Sequence, residues 1–430
     1  MARRRDASLR NDLYRFTLMT VNVHRRPRWI AAAVVSAVAA ALVIAVVWRG
    51  TSEREREAVE TIGVSPFELL AVSADEEFPQ PPSRWSFEFP RDHGAHDTYR
   101  TEWWYLSGTL SGVDGDAPAL GVQWLLMRIA LRAENERSEA QRTASDIDAR
   151  ADAPATSAWR TSQIYAGLFS ISTPAGKGLR TEGKLARGAV GLAGATASPV
   201  RIWIESWHLA ELTEPSADSP ALGLHLDAKG LQLDLELKDA KSLITSREVT
   251  GQGAAQAAAP FQFYVQPRLR ARGTLVADGR RIGVEGILSL EHAWGELPLP
   301  GGPVGNDRFS LYLDDGSDLI LVRTHRERAG GGRTASTTGL LIDPQGAAMP
   351  LADDDVALEP VDHWMSPRNG TRYPIRWSVQ IPGRDIAVTL TPIEPDQEGE
   401  TWLPFWAGPV RIDGTAAGSG FVQLNGYAER

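Results

Sequence analysis

The sequence LGLHLDAKGLQLDLEL, residues 222–237, contains the clearest structural pattern in the chain. Leucine occupies every second position on both sides of a polar turn sequence, Asp227 to Gly230. A period of two places these leucines on one face of an extended strand, whereas a helix would need a period of about 3.6 residues. The pattern therefore predicts a β-hairpin with one apolar face.

The same alternation recurs towards the C-terminus, each time beside a turn sequence or another strand. The paired apolar runs lie at residues 269–275 and 282–290, 309–313 and 319–321, and 373–381 and 386–390. Many short strands joined by turns at this spacing are typical of antiparallel barrels or sandwiches. We therefore expect an all-β protein. Alternation alone does not distinguish closed barrels from open curved sheets.

An uncharged apolar run near the N-terminus, residues 29–48, predicts one membrane-spanning helix. As a helix it would be about 30 Å long, which matches the hydrocarbon core of a bilayer. Trp29 and Trp48 lie at its ends and arginines precede it, so the positive-inside rule places residues 1–28 in the cytoplasm. We expect a single-pass protein of the inner (cytoplasmic) membrane with its C-terminal part in the periplasm or otherwise outside the cytoplasm. The alternative is a cleaved secretory signal, which would also export the rest of the chain.

The exported part is long enough for two domains, because roughly 345 residues exceed one typical domain. Two stretches interrupt the strand pattern: residues 133–160 are polar and alanine-rich, and residues 251–260 are low in complexity. We interpret the first as a flexible insertion and the second as the domain boundary. The expected organisation is a linker at 49–84, an N-terminal β-domain at 85–255 and a C-terminal β-domain at 256–430.

The densest group of polar and aromatic residues is FPRDHGAHDTYRTEWWYLSGTL, residues 89–110. If its second half is a strand, Glu102 and Trp104 share one face and Tyr105 lies on the other. One interpretation is a polar group at the mouth of an aromatic pocket. The other is an aromatic plug in which Glu102 pairs with an arginine. Arg128 lies on the apolar face of the next predicted strand, and a buried arginine needs a carboxylate, so Glu102 is its natural partner.

A second group is EHAWG, residues 291–295. His292 and Trp294 continue the even-numbered apolar series of the preceding strand, so we expect both to face the interior. An interior histidine is either a satisfied core residue or a proton donor that faces a ligand. Asp307 and its two neighbours, just downstream, are candidate partners for His292.

Composition and motifs disfavour several classes of function. The net charge is −9 and the arginines are spread along the chain, which argues against nucleic-acid binding. The absence of cysteine removes disulfides, thiolate metal ligands and cysteine nucleophiles. The chain lacks a G-x-S-x-G elbow, a phosphate-binding loop and a dinucleotide fingerprint, so a hydrolase or nucleotide enzyme is disfavoured. His93 and His96 have a His-x-x-His spacing, but without an HExxH context we expect no metal.

Several blocks of the sequence resemble the AttH/CrtC group of lipocalin-like proteins, which includes the carotenoid 1,2-hydratases. The blocks are residues 89–110 with the strand from Gln123 to Arg128, EHAWGELPLPGGPVGNDRFSLYLDDG at 291–316, FWAGPVRIDG at 405–414, and GSGFVQLNGYAER at 418–430. Together they cover roughly residues 85–430.

The resemblance implies that the two expected domains are lipocalin-like antiparallel β-barrels. It further implies either a protein that binds an apolar small molecule of the lipid or isoprenoid type, or a hydratase that adds water to an isoprenoid double bond. Members of the group are often exported and occur with ABC-transporter permeases, and no cofactor is implied.

The resemblance, together with the two polar groups, also assigns candidate site residues. If the protein is a hydratase, the catalytic residues would be His292, Trp294, Glu291 and Asp307. The residues expected to bind a ligand are His93, His96, Glu102, Trp104, Tyr105, Gln123, Arg128 and Tyr264.

The chain departs from the family's pattern at acidic positions. The family commonly has Asp-His-Glu-Trp where residues 291–294 read EHAW, and often Glu where Gln423 stands. Its tyrosine-rich strand appears here as FQFYV, in which only Tyr264 remains. Hydration of an isolated alkene needs a strong general acid, so fewer acids favour binding over catalysis. A third interpretation is a non-catalytic structural or assembly subunit whose barrels are filled with side chains.

Overall fold

The structure is a computed structural model. It describes residues 77–113, 119–133, 161–172, 178–212, 221–250, 261–296, 304–327, 333–402 and 404–427, all of which belong to one compact unit, Val64–Arg430. The predicted membrane helix at 29–48, the boundary stretch at 251–260 and nearly all of the insertion at 133–160 lie outside these residues. Within the part of the chain that is described, no helix has the length and apolar character needed to cross a membrane.

Two antiparallel sheets make up the fold, and the expected all-β class is confirmed. The strands of the first sheet are β1 (Thr101–Gly112), β2 (Leu120–Ala130), β3 (Gln163–Ser172), β4 (Leu179–Arg187), β5 (Ala193–Ala197), β6 (Val200–Ile204), β7 (Trp207–Glu211), β8 (Leu222–Ala228), β9 (Leu231–Asp239), β10 (Ile244–Thr245), β11 (Phe261–Ala277) and β12 (Arg280–Gly295). Their order is β4-β3-β2-β1-β12-β11-β9-β8-β7-β6-β5, and β10 pairs with β11.

The strands of the second sheet are β13 (Val304–Leu313), β14 (Asp318–Glu327), β15 (Arg333–Ile342), β16 (Ala348–Leu351), β17 (Ala357–Met365), β18 (Arg372–Ile381), β19 (Ile386–Pro392), β20 (Glu398–Glu400), β21 (Pro404–Gly414) and β22 (Gly418–Asn425). Their order is β16-β15-β14-β13-β22-β21-β19-β18-β17, and β20 pairs with β21. The helical elements of the described residues are α1 (Ser246–Thr250) and three short 3-10 turns, Arg91–His93, Asp353–Asp355 and Pro382–Arg384.

The alternating leucines of residues 222–237 form the predicted hairpin of β8 and β9, with Leu222 opposite Leu237. The inward leucines of the hairpin lie in the main core of the first sheet together with the apolar, even-numbered side chains of β1 and β2. A separate core, built from β13, β14, β18 and the strands beside them, fills the second sheet. Burial of these apolar side chains, at roughly 1.5–3 kcal/mol each, gives every strand a fixed inner face.

The first sheet curls until its two end regions meet across the core. A Cβ at Gly167 on β3 would lie 2.9 Å from Ile204 and 3.3 Å from Trp207, so only glycine permits this approach. On the same side, Lys184 of β4 donates a hydrogen bond to Ser206 (2.8 Å) and lies over the Trp207 ring. Side chains thus join the ends of an otherwise open, barrel-like sheet.

The predicted division after residue 255 does not coincide with the division between the sheets. β11 and β12 follow residue 255, yet β12 pairs with β1 and β11 pairs with β9. The chain passes from the first sheet to the second between Gly295 and Val304. Low complexity at 251–260 suggested a boundary, but pairing between strands distant in sequence leaves no local signal.

The outward faces of the two sheets pack against each other. Tyr312 donates a hydrogen bond to the backbone carbonyl of Ser107 (3.0 Å), and the hydroxyls of Ser107 and Ser310 lie 3.1 Å apart. An apolar cluster that includes Leu168 and Phe421 continues this contact. Consequently β1 has two buried faces, one towards the core of the first sheet and the other towards the second sheet.

Candidate functional site

A buried carboxylate, Glu102, lies at the centre of a polar network in the first sheet. It is the second residue of β1 and has no exposed surface. Arg128 occupies the opposite position on β2, and its Nε donates to Glu102 Oε2 at 2.7 Å. The predicted pairing of these two residues is confirmed. A fully buried charge pair of this kind persists only where further hydrogen bonds satisfy both partners.

All three nitrogens of the Arg128 guanidinium donate hydrogen bonds, four in total. One terminal nitrogen donates to Gln163 Oε1 on β3 at 2.7 Å. The other donates to the backbone carbonyls of His96 (2.9 Å) and Tyr99 (3.0 Å). Arg128 therefore joins three strands to the segment that precedes β1, residues 77–100, which we call the roof segment.

Two histidines donate to the remaining oxygen of Glu102. His292 on β12 places its Nε2 2.8 Å from Oε1, and His96 of the roof segment places its Nδ1 at the same distance. The backbone N–H of His96 also donates to the carboxylate, 2.9 Å from Oε2. Since a carboxylate only accepts hydrogen bonds, each of these nitrogens carries the hydrogen.

The protonation states follow from this geometry. Burial by itself would raise the pKa of Glu102, but the charge of Arg128 and the hydrogen bonds from His292 and His96 outweigh it and hold that pKa well below its usual range. Burial lowers the pKa of His292 to about 4, against the opposing effect of its hydrogen bond to Glu102. At neutral pH the site thus holds an ionised Glu102 and a neutral His292.

Neutral His292 leaves its second ring nitrogen, Nδ1, as a free acceptor. This atom is buried and has no hydrogen-bond partner among the described residues. The indole Nε1–H of Trp294 is likewise buried and without a partner in the same part of the chain. The two rings lie 5.0 Å apart, centroid to centroid. An unpaired acceptor and an unpaired donor therefore lie on two neighbouring buried rings, which is costly unless something binds them.

Aromatic rings surround the network. Trp104 stacks on His292 with centroids 4.5 Å apart, and Trp294 stacks on His96 at 3.8 Å. Tyr264 of β11 meets His292 edge to face at 5.1 Å. Burial raises the pKa of the Tyr264 phenol, which stays protonated and contacts His93 Nδ1 at 2.9 Å. The polar groups are thus enclosed by an apolar shell.

The roof segment is held by a second buried carboxylate, Asp92. Its Oδ2 accepts hydrogen bonds from the indole of Trp85 (3.1 Å) and the backbone N–H of Glu88 (2.7 Å). Trp85 and Phe87 meet Trp294 edge to face. Phe89 remains 43% exposed. The roof segment therefore covers the network with aromatic rings that are only partly buried.

His96, Glu102 and His292 form the one group among the described residues whose ligand atoms are close enough to hold a metal ion. Each of their facing atoms already takes part in a hydrogen bond, and Arg128 neutralises the carboxylate. A divalent cation would add uncompensated positive charge to a fully buried place. These residues therefore suit a hydrogen-bond network better than a metal.

The structure brings most of the predicted site residues together. Those that contact one another in this network are His93, His96, Glu102, Trp104, Arg128, Tyr264, His292 and Trp294. Tyr105 and Gln123 do not join them. Tyr105 donates a hydrogen bond to Gln123 (3.1 Å) on the opposite face of β1 and β2, which packs towards the second sheet.

The two carboxylates proposed to act with His292 also lie elsewhere. Glu291 precedes His292 on β12, so it points to the other face, where it pairs with Arg308. Asp307 belongs to β13 and lies inside the second sheet, where it accepts a hydrogen bond from Tyr427 (2.7 Å). The expectation that Asp307 or its neighbours partner His292 is wrong, because Glu102 fills that role.

Sequence reasoning missed several residues of the site: Trp85, Asp92, Tyr99 and Gln163. Asp92 lies within residues 89–110 and is the only carboxylate between the start of that block and His96. The sequence therefore did indicate it as a candidate partner for the two histidines. Gln163 gave none, because it lies 35 residues from Arg128, the nearest other site residue before it in sequence, and no motif surrounds it.

Comparison with known proteins defines the family. No curated protein matches the chain. A solved structure described as a putative AttH from Nitrosomonas europaea is similar, with 26% identity, a TM-score of 0.62, and coverage of 82% of this chain and 100% of the other. The kievitone hydratase of Nectria haematococca shares the fold alone, with 10% identity, a TM-score of 0.50, and coverage of 82% and 97%. The AttH-like family model matches residues 80–427. The chain is therefore a member of the AttH-like family.

Proposed function

We propose that this protein binds an apolar molecule of the lipid or isoprenoid type under the roof segment of the first sheet. The observation that carries the proposal is the pair of buried, unpartnered nitrogens, His292 Nδ1 and Trp294 Nε1. A ligand with one polar end can accept from the indole and donate to the imidazole. Its apolar remainder would lie against the aromatic shell, in contact with Trp104 and Tyr264.

The protonation states support binding over hydration of an alkene. An alkene accepts a proton only from a strong acid held against it. Glu102 is ionised and all its hydrogen bonds are used, and neutral His292 offers its lone pair instead of a proton. The burial-raised pKa of Tyr264 makes that phenol a weaker acid than a free tyrosine. These three groups of the network can therefore orient a ligand but are poor donors to carbon.

The roof segment would govern entry. Phe87 and Phe89 stack on each other at 6.2 Å and are partly exposed, so these rings are held by fewer contacts than the core. In this proposal the apolar part of the ligand takes the place of Phe87 beside Trp294 and of Phe89 beside Tyr264.

The predicted helix at 29–48 would anchor the protein to the inner membrane, with the sheets in the periplasm. An apolar ligand is most concentrated in a bilayer, so the anchor would hold the protein where such a ligand is found. By family resemblance, we further propose an ABC-transporter permease as the partner that supplies or accepts the ligand.

The test uses the full chain extracted in a mild detergent. Native mass spectrometry and solvent extraction should reveal a co-purifying apolar molecule. Trp294→Phe keeps an aromatic ring beside His96 but removes the indole N–H, and should retain about two- to tenfold less ligand, the effect of one lost hydrogen bond. The matched control is Trp203→Phe, a change in a partly exposed tryptophan of the same sheet.

Two results would contradict the proposal. One is a chain that carries no apolar molecule and binds no added isoprenoid. The other is conversion of an acyclic isoprenoid in ¹⁸O-labelled water to a tertiary alcohol that contains the label, with loss of this activity in His292→Ala. That second result would establish a hydratase instead.

A further inference from the structure

The two sheets have the same strand connections. In each, four consecutive strands form a meander, β1 to β4 or β13 to β16, and the first of them pairs with the last strand of its sheet, β12 or β22. From there the order continues backwards along the chain, through β11 and β9 in the first sheet and through β21 and β19 in the second. Each position in one meander therefore has a counterpart in the other.

The charged pair of the first sheet has such a counterpart. Glu102 lies opposite Arg128 where β1 pairs with β2. Asp307 lies opposite Arg323 where β13 pairs with β14. Both carboxylates are completely buried near the start of the first strand, with their side chains on the inner face. Asp307 is thus the equivalent of Glu102, although no sequence motif links them.

The surroundings of Asp307 also contain unpartnered atoms. Its Oδ2 accepts from Tyr427 (2.7 Å) and from Arg323 (3.3 Å), whose guanidinium lies over the Trp377 ring. Its Oδ1 has no hydrogen-bond partner within the described ranges, and neither has the buried Nε2 of His325. These two atoms are 3.4 Å apart but lack hydrogen-bond geometry. Tyr373 and Tyr427, with centroids 5.9 Å apart, add aromatic surface.

Each sheet therefore presents buried polar atoms that need a partner, beside aromatic rings. In the first sheet they are the acceptor His292 Nδ1 and the donor Trp294 Nε1. In the second they are the acceptor Asp307 Oδ1 and His325 Nε2, which can donate. A hydroxyl is the smallest group that can donate to one such atom and accept from the other.

We propose that the second sheet holds a second ligand site around Asp307 and His325, equivalent to the first, and that both take a hydroxyl-bearing apolar molecule. This inference rests on the proposed function and names its ligand class. It also gives Asp307, a residue that the network in the first sheet does not use, a role of its own.

The two sites would open towards the same end of the molecule. Arg308 of β13 lies over the rings of Trp103 and Tyr105, and Ser310 contacts Ser107, so β13 and β1 run side by side in the same direction. Because Glu102 and Asp307 are both near the starts of these strands, ligands for the two sites approach from one side.

The experiment counts ligands on the full chain by native mass spectrometry, with farnesol as the probe and farnesyl methyl ether as the control without a hydroxyl donor. The wild type should bind two farnesol molecules, and the ether should bind at least fivefold more weakly at each site. Trp294→Phe and His325→Phe should each weaken binding at one site about two- to tenfold, the effect of one lost hydrogen bond, and the double variant should weaken binding at both sites. His208→Phe, a partly exposed histidine of the first sheet, is the matched control and should bind two.

The outcomes separate the two proposals. A single bound farnesol, with affinity weakened by Trp294→Phe and unchanged in His325→Phe, overturns the second site while the proposed function stands. If the wild type binds no farnesol, the second site is overturned. If the wild type also binds no other apolar ligand, the proposed function is overturned as well. If His325→Phe fails to fold, farnesol titration of Trp294→Phe followed by the His325 imidazole NMR signals decides. An unchanged signal at saturation overturns the second site.

Discussion

Replacing Arg128 with methionine should destabilise the protein severely. The side chain is fully buried, and its four hydrogen bonds reach Glu102, Gln163 and the carbonyls of His96 and Tyr99. Methionine fills a similar volume but leaves Glu102 as a buried charge without a counter-ion. Breaking one side of such a pair costs about 3–5 kcal/mol.

The loss is measurable by urea unfolding, followed by the fluorescence of the 14 tryptophans. With a denaturant dependence of about 3 kcal/mol per molar urea, a loss of about 4 kcal/mol lowers the unfolding midpoint by roughly 1.3 M. The double variant Glu102→Gln with Arg128→Met removes both charges. It should be less destabilised than the sum of the two single variants, by about 1–3 kcal/mol.

Arg411→Met is the matched control, because Arg411 and its partner Asp413 are both more than half exposed, at 61% and 54%. Exposed pairs of this kind contribute less than about 1 kcal/mol. A loss for Arg128→Met no larger than that for Arg411→Met would refute the reasoning. Strictly additive effects of the Glu102 and Arg128 substitutions would also refute it.

Three further outcomes follow from the structure. The pKa of His292 is about 4 in the folded protein and about 6.5 in the unfolded chain, so protons favour the unfolded state below pH 6.5. Urea unfolding should therefore show that the free energy of unfolding falls by about 3 kcal/mol by pH 4. The fall should be smaller in His292→Asn. Gly108→Ala should cost at least about 1 kcal/mol, because its Cβ would collide with the carbonyl of Ile287, whereas Gly383→Ala, with open space around it, should be neutral in the same assay. Deleting residues 1–48 should move the protein from the membrane pellet to the soluble fraction, and retention in the pellet would contradict the predicted anchor.

The period of two in the sequence predicts which side chains share a face, and the structure follows it closely. Glu102 and Trp104 point inwards and Tyr105 outwards, and His292 and Trp294 face the interior with them. The Glu102–Arg128 pair was predictable for a physical reason, since a buried arginine must find a carboxylate and both residues occupy inner positions of neighbouring strands.

The same rule should have excluded Glu291 from the site. It is adjacent to His292 on one strand, and adjacent residues on a strand point to opposite faces. Family resemblance favoured Glu291, but the geometry of β12 places it against Arg308. Asp307 lies only 15 residues from His292 in sequence. The chain changes sheets between Gly295 and Val304, so that closeness does not carry over into space.

Sequence could not reveal how the site closes, because the closure depends on backbone carbonyls. The roof segment offers the carbonyls of His96 and Tyr99 to Arg128, and neither carries any sequence signature. If the roof segment lifts, these two hydrogen bonds break while the bond from Arg128 to Glu102 can remain. Lifting also breaks the hydrogen bonds from His96 to Glu102 and the ring contacts with Trp294, so opening costs several hydrogen bonds at about 1 kcal/mol each. Entry of a ligand therefore need not disturb the charged pair that stabilises the fold.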